Sequence, residues 1–397
     1  MDKKFNIPVL NVGIVGHIDH GKTTLLYKLT GKWTDTHSEE LKRGITIRLG
    51  YADMTLYKDG DSYNNNGKGE PFRQVSFVDA PGHEMLMATM LSGAALIDAA
   101  LLVVAANEGI KPQTREHLLA LHAKGIKNLI VVQNKIDLVN VDQAKKNYAD
   151  IKQMLKGKYD SAPIIPVSAQ QSVNLESIYS ALAEIKIPER NDSGQPLFIV
   201  ARSFDINKPG TEPKNLHGAV LGGTLKQGIL KIGDEIEIKP GRLVKEGNQY
   251  KYEVLRTKVL NLFNGSHKVD KLTPGGSMSI ETELDMSLAK SDSLSGNVVS
   301  TVGNLPNAIS SLKLSYELFP EVFGVGAKTA VEAIKPSEML FLSINTSMVV
   351  GVVKKVSKNE LELSLKLPLV SFKGDAVSIA RNINNHWRLI GHGIVSQ

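Results

Sequence analysis

The stretch Asn11–Gly31, "NVGIVGHIDHGKTTLLYKLTG", decides the reading of the first half of the chain. Its apolar start reads as a buried strand and its end as a helix. Between them stand Gly16, four further residues, then Gly21, Lys22 and Thr23. Glycines let backbone N–H groups close around phosphate oxygens, and the helix N-terminus adds its positive end. Lys22 supplies a cation, and the Thr23 hydroxyl suits Mg²⁺. Strand, glycine-rich loop and helix in that order predict an α/β phosphate-binding domain.

The pattern continues outward from this loop. The runs "VLNVGIVG", "QVSFVDA", "ALLVVAA", "NLIVVQN" and "APIIPVSA" read as parallel strands buried on both faces. Helical patterns such as "PQTREHLLALHAKG" and "NLESIYSALAEIK" lie between them. The alternation predicts a doubly wound, mostly parallel sheet. A polar linker, "KIPERNDSGQP", then changes the texture. Beyond it, short alternating runs separated by glycine turns predict two antiparallel β-barrels, with a junction near "VSTVGNLPNA". The expected domains are 1–194, 195–305 and 306–397.

Composition narrows the function classes. The 397 residues contain no cysteine, which excludes disulfides and thiolate metal sites. The N-terminal "MDKKFNIPVLNVGIVG" lacks a signal core with a cleavage site. The most apolar stretch, "SGAALIDAALLVVAANEG", carries Asp98 and reads as a helix end, a turn and a strand. A soluble cytoplasmic protein is therefore expected. The net charge of +6 permits a polyanionic partner without identifying one.

Three further elements complete a nucleotide site. Asp79 ends the strand "VSFVD" and is placed to hold a Mg²⁺ shell, while the Gly82 backbone N–H can meet a γ-phosphate. "VVQNKIDLV" puts Asn134, Lys135 and Asp137 at another strand end. A carboxylate there accepts from guanine N1–H and N2–H₂, a donor pair adenine lacks. Asn134 braces the loop, and the Lys135 stem covers the base. Ser168 and Ala169 of "PVSAQ" follow a further strand and can offer a backbone N–H to guanine O6. Thr46, between phosphate loop and Asp79, can close the Mg²⁺ shell in a segment that orders with GTP.

These elements resemble those of translation-factor GTPases. "HSEELKRGITIRLGYAD", "DAPGHEMLMATMLSGAALIDAALLVVAANEG" and "RSFDINKPGT…GAVLGGTLKQGILKIGDEIEIKPG" resemble more closely the gamma subunits of archaeal and eukaryotic initiation factor 2, as does "HWRLIGHGIV" near the end. The resemblance implies a G domain and two β-barrels, like elongation factor Tu. It implies alpha and beta subunits as partners, and delivery of methionylated initiator tRNA to the small ribosomal subunit with GTP bound. It carries phosphate binding to Asp19, His20, Gly21, Lys22, Thr23 and Thr24. The principal Mg²⁺ falls to Thr23 and Thr46 with Asp79 nearby, and a second cation to Asp19 and the Gly44 carbonyl. The guanine site becomes Asn134 to Asp137 with Ser168, Ala169 and Gln170. His83 takes the place of the residue that positions the attacking water. No arginine finger is evident, so hydrolysis is expected to be slow without a partner.

One interval departs from the family pattern. Many relatives carry a cysteine zinc knuckle where this chain has "LYKDGDSYNNNGKGEPFRQ", so zinc is not expected and a flexible hairpin tip is. Arg202, Phe204, Asn207, Lys208 and Gly210 resemble a barrel segment near an aminoacyl-end pocket, where an aromatic suits an unstacked base. The same residues could equally form an ordinary barrel strand and turn. Two other functions stay open: an elongation-type carrier of aminoacyl-tRNA, and a weakly hydrolysing GTP-binding scaffold. A selenocysteine-specific carrier would need a further C-terminal domain, for which this chain has no room.

Overall fold

Strand β1 (Val9–Gly16) carries its apolar residues on both faces, and seven of its eight residues are buried. That pattern suits a parallel strand covered by helices on either side. A computed structural model describes residues 7–34, 49–81, 87–247, 249–322 and 329–396. In it β1 lies between β4 (Glu70–Asp79) and β5 (Ala99–Ala105), parallel to both. Strands β6 (Asn128–Asn134) and β7 (Ile164–Pro166) extend the parallel set beyond β5. On the other side β2 (Gly50–Asp59) runs antiparallel to β4, and β3 (Ser62–Asn64) pairs with β2. The order is β3-β2-β4-β1-β5-β6-β7. All the expected strands are present, and the expected hairpin tip belongs to an antiparallel hairpin that forms one edge of the sheet.

The described α-helices of this sheet are α1 (Lys22–Thr30), α2 (Met87–Ala94), α3 (Pro112–Ala123), α4 (Val141–Leu155) and α5 (Leu175–Glu184). Leu25, Leu26 and Leu29 of α1 are fully buried in one core with Leu10, Val12, Ile14 and Phe77. Helix α1 stops at Gly31, whose φ of 74° lets its N–H reach the Tyr27 carbonyl at 2.7 Å. Asp98 sits in the turn between α2 and β5, as its sequence context implied, and accepts the Asn11 N–H at 2.9 Å.

The edge hairpin is more ordered than its composition suggests. Asn64 Nδ2 donates to the Lys68 carbonyl at 3.0 Å, while its Oδ1 accepts the Asn66 N–H at 3.2 Å. Asn66 Oδ1 accepts the Lys68 N–H at 3.1 Å, and Asn65 Nδ2 donates to the Leu29 carbonyl at the end of α1, 2.8 Å away. Side-chain amides thus knit the tip and fasten it to the phosphate-loop helix.

The second half is all β. Strands β8 (Leu197–Phe204), β9 (Val220–Gln227), β11 (Glu235–Glu246), β12 (Gln249–Asn264), β15 (Met278–Thr282) and β16 (Val298–Thr301) form a ring closed by pairing of β11 with β12, while the short β10 (Leu230–Lys231) pairs with β14 (Lys271–Leu272) and β13 (His267–Val269) with β12. A second closed barrel has the order β17-β22-β21-β20-β23-β24. Its ranges are β17 (Ile309–Leu318), β20 (Met339–Ile344), β21 (Ser347–Val356), β22 (Glu360–Leu369), β23 (Ala376–Ile383) and β24 (His386–Val395), and the short β18 (Glu321–Val322) and β19 (Thr329–Ala330) pair with each other. Along β22, Leu361, Leu363 and Leu365 point inward and Glu360 faces water, the period-two pattern a closed barrel requires.

The chain clusters into two compact units. One holds Met1–Pro188 with Leu318–Glu332 and Ala380–Gly391; the other holds Glu189–Glu317 with Ala333–Ile379 and His392–Gln397. No described helix is long and apolar enough to cross a membrane.

Phe77 is a fully buried aromatic of β4 in the sheet's core. Phe77→Ala should destabilise the first unit by about 3–5 kcal/mol, read as a lower urea midpoint for that unit. An unchanged midpoint would place the main core elsewhere.

Candidate functional site

The parallel strands end on one side of the sheet, where crevices in such folds collect ligands. Gly16 closes β1 with φ 142°, and a Cβ there would stand 2.4 Å from the Val103 carbonyl oxygen. Asp19 and Gly21 both take left-handed conformations, with φ 61° and 88°. Gly21 caps α1 without a side-chain hydrogen bond, so the first turn keeps backbone donors for another acceptor. Lys22 is buried and its Nζ donates to the His17 carbonyl at 2.8 Å. Thr24 is half-buried in the first turn of α1.

Asp79 ends β4 beside this loop. The Thr23 hydroxyl lies 3.2 Å from its Oδ2, and the Thr34 hydroxyl donates to the same oxygen at 2.9 Å. Thr34 was not foreseen from the sequence. A hydroxyl and a buried carboxylate meeting at the phosphate loop are hard oxygen donors, which fit Mg²⁺ with phosphate and water completing its shell. Gly44, Thr46, Gly82 and His83 lie outside the described residues.

Asn134 joins this loop to the base-binding motif. Its Nδ2 donates to the His20 carbonyl at 2.9 Å, and its Oδ1 accepts the Ala169 N–H at 3.0 Å. Of the two backbone N–H groups offered for guanine O6, that of Ala169 is therefore turned toward Asn134 and that of Ser168 toward the Val173 carbonyl at 3.3 Å. A Cβ on Gly21 would lie 2.5 Å from Asn134 Nδ2, so only glycine fits there. Asp137 is exposed in a short 3₁₀ turn, Ile136–Leu138, free to face a base edge. Ser168 is buried with its Oγ accepting the Gln171 N–H at 3.2 Å, and Gln170 is exposed.

Two residues missed by motif reading organise the site. Glu108 accepts from Lys135 Nζ at 3.2 Å and stands 3.8 Å from Lys111 Nζ and 3.9 Å from His20 Nε2. Burial pushes the Glu108 carboxyl up, but the Lys135 hydrogen bond and the nearby cations hold it below its usual value. The His20 ring is fully buried and packs edge-on against His17 with centroids 5.0 Å apart. Burial lowers its pKa to about 4, so it is neutral at pH 7 and its proximity to Glu108 is no ion pair. The His20 side chain thus faces the protein rather than the phosphates.

His117 of α3 is the second. Its Nδ1 accepts the Gly16 N–H at 2.9 Å, both groups being buried. Burial, with Lys22, His17 and His20 nearby, lowers its pKa to about 3. An unfolded histidine titrates near 6.5, so this group leaves stability untouched above that pH and withdraws it as pH falls toward about 3. The preceding residue, Glu116, is buried against Arg388 Nη1 at 3.2 Å. Both residues belong to the first unit.

The barrel segment tells a different story. Arg202 Nε donates to Asp292 Oδ1 at 2.8 Å, and Asn207 is folded into its own turn by Asp205 Oδ1 and the His217 carbonyl. Phe204 is half-buried, while Lys208 and Gly210 are exposed. Arg202 and Asn207 are thus committed to internal bonds, and Lys208 alone of the polar candidates presents its head group to solvent.

Residues 7–188 match the Elongation factor Tu GTP binding domain, and residues 310–395 match the C-terminal domain of Initiation factor eIF2 gamma. The translation initiation factor 2 subunit gamma of Methanococcus vannielii is 50% identical over 97% of this chain and 98% of its own length. The chain belongs to the translation initiation factor 2 subunit gamma family. The subunit gamma of Archaeoglobus fulgidus is 48% identical over 98% of the chain and 95% of the relative. A bacterial selenocysteine-specific elongation factor shares the fold with a TM-score of 0.78 at 24% identity, covering 98% of this chain and 58% of that one. Elongation factor SelB from Methanococcus maripaludis, bound to a GTP analogue, gives 0.75 at 24%, over 98% and 79%. This family member is thus a translation GTPase, a GTP-binding initiation factor.

Asn134→Ala removes both bonds that hold the loops. Labelled-GDP titration should show at least about tenfold weaker binding, since a lost buried hydrogen-bond partner is worth about 1–3 kcal/mol. Unchanged affinity would mean the loops are held otherwise.

Proposed function

We propose that this GTPase delivers methionylated initiator tRNA to the small ribosomal subunit in its GTP state, as the gamma subunit of a complex with alpha and beta subunits in the cytoplasm. The observation that supports the reading is the 50% identity, over nearly the full length, to an initiation factor 2 gamma subunit, together with the Asn134 bond that ties the glycine loop to the NKID motif. In this reading the chain works as three modules, 1–194, 195–305 and 306–397.

The residue roles follow the site's chemistry. Backbone groups from Asp19 to Thr24 and Gly82 cradle the phosphates, with Lys22 against their charge. Asn134, Lys135, Asp137, Ser168, Ala169 and Gln170 select guanine; the Ala169 N–H would swing from Asn134 or share its hydrogen. Thr23, Thr46 and Asp79 would hold Mg²⁺, which offsets phosphate charge when bound, with Asp19 and the Gly44 carbonyl for a second cation. His83 orients the water that attacks the γ-phosphoryl group, and positioning carries most of that chemistry. Phe204, Lys208 and Gly210, with Arg202 and Asn207 shaping their turn, would meet the tRNA end. Zinc has no thiolate to bind here, and the asparagine-knit hairpin stands in its place.

Binding of methionyl initiator tRNA to the gamma–alpha complex should be at least about tenfold tighter with a non-hydrolysable GTP analogue than with GDP. Elongator aminoacyl-tRNA is the control. Indifference to nucleotide would favour a scaffold, and elongator preference an elongation-type carrier. His83→Ala should keep GTP affinity within about threefold and slow stimulated hydrolysis by more than about a hundredfold. A parallel loss of affinity would contradict the water-positioning role.

A further inference from the structure

The start of the phosphate loop is bonded to a residue of a helix that no nucleotide motif includes. Gly16 is the loop's first glycine, and its N–H points away from the loop into the protein. There it meets His117 Nδ1 at 2.9 Å, with the imidazole 1% exposed. A backbone N–H can only donate, so Nδ1 must be the bare ring nitrogen and the proton must sit on Nε2. The ring is therefore neutral and held in one tautomer. A protonated ring would carry hydrogen on both nitrogens and would repel the Gly16 N–H.

Other observations make this contact a constraint on the loop. Gly16 has no room for a side chain, because a Cβ would stand 2.4 Å from the Val103 carbonyl oxygen, so the backbone here packs directly against β5. Helix α3 is fixed from its other neighbour, since Glu116 is buried against Arg388 at 3.2 Å. Its start is fixed as well, by Pro112 at the first helical position and by the Lys111 N–H donating to Thr114 Oγ1 at 3.3 Å. The acceptor is thus presented by a rigid element at a fixed height beneath the loop.

We propose that His117 is a positioning residue for nucleotide binding: its neutral imidazole holds the Gly16 backbone, and through it the donors of the phosphate loop, in the geometry that receives the phosphates. The inference rests on the guanine-nucleotide reading of the site. His117 touches no nucleotide and takes no part in hydrolysis.

The test uses the full chain and the binding and release of fluorescently labelled GDP. In His117→Asn the Oδ1 atom stands where Nδ1 stood, two bonds from Cβ, and keeps an acceptor for Gly16. In His117→Leu a side chain of similar bulk offers none. In His117→Gln the acceptor is displaced by one carbon, which gives a folded comparison should the leucine variant not fold. His117→Asn should bind within about threefold of the wild type, while His117→Leu and His117→Gln bind about ten- to a hundredfold more weakly, chiefly through faster release. Equal affinity of the Asn and Gln variants, or wild-type affinity in the Leu variant, would overturn the proposal alone. Absence of labelled-GDP binding by the wild type would overturn it together with the reading on which it rests.

Discussion

Asn134 holds three loops together with one amide. Its nitrogen takes the His20 carbonyl of the phosphate loop and its oxygen takes the Ala169 N–H of the last nucleotide loop. Its own backbone continues the motif that presents Asp137. The amide is 2% exposed, so neither bond competes with bulk water. The requirement for glycine at 21 follows from the same group, because a side chain there would collide with its nitrogen. The loop proposed to bind phosphate and the loops proposed to bind the base are therefore parts of one hydrogen-bonded body.

Around that body runs a charged layer. Glu108 joins the helix start at Lys111 to the base motif at Lys135, with the His20 ring beneath. Its carboxylate is partly exposed, so the pair energies are modest, and orientation is their main product. Lys135 is in the left-handed conformation, with φ 61°, and its head group is turned onto Glu108 at 3.2 Å. The uncharged His20 beneath keeps the layer from placing two cations in the buried space next to Lys22.

What the sequence disclosed follows the range of the interactions involved. Apolar runs, the glycine loop and the strand-end motifs are local, and each was legible as a strand, loop or helix start. The two barrels announced themselves through alternation such as that along Glu360–Leu369. The contacts of His117 with Gly16 and Glu116 with Arg388 span 101 and 272 residues, and no local pattern signals them. Arg202 and Asn207 were legible as polar groups but not as groups already spent on Asp292, Asp205 and His217. At the edge hairpin, composition indicated looseness, whereas the spacing of the asparagines lets each close on a neighbour's backbone.

Adjacent residues of one helix face in different directions: Glu116 toward Arg388 of the last barrel strand, His117 toward the first glycine of the phosphate loop. Two segments 272 residues apart in the chain are thereby tied to one another. A chimera that took residues 1–188 from one relative and 380–391 from another would have to match a buried carboxylate to its guanidinium. A mismatch leaves a charge buried without its counterion, at a cost of several kcal/mol. Exchange of either segment of this chain is therefore constrained by a junction that sequence distance conceals.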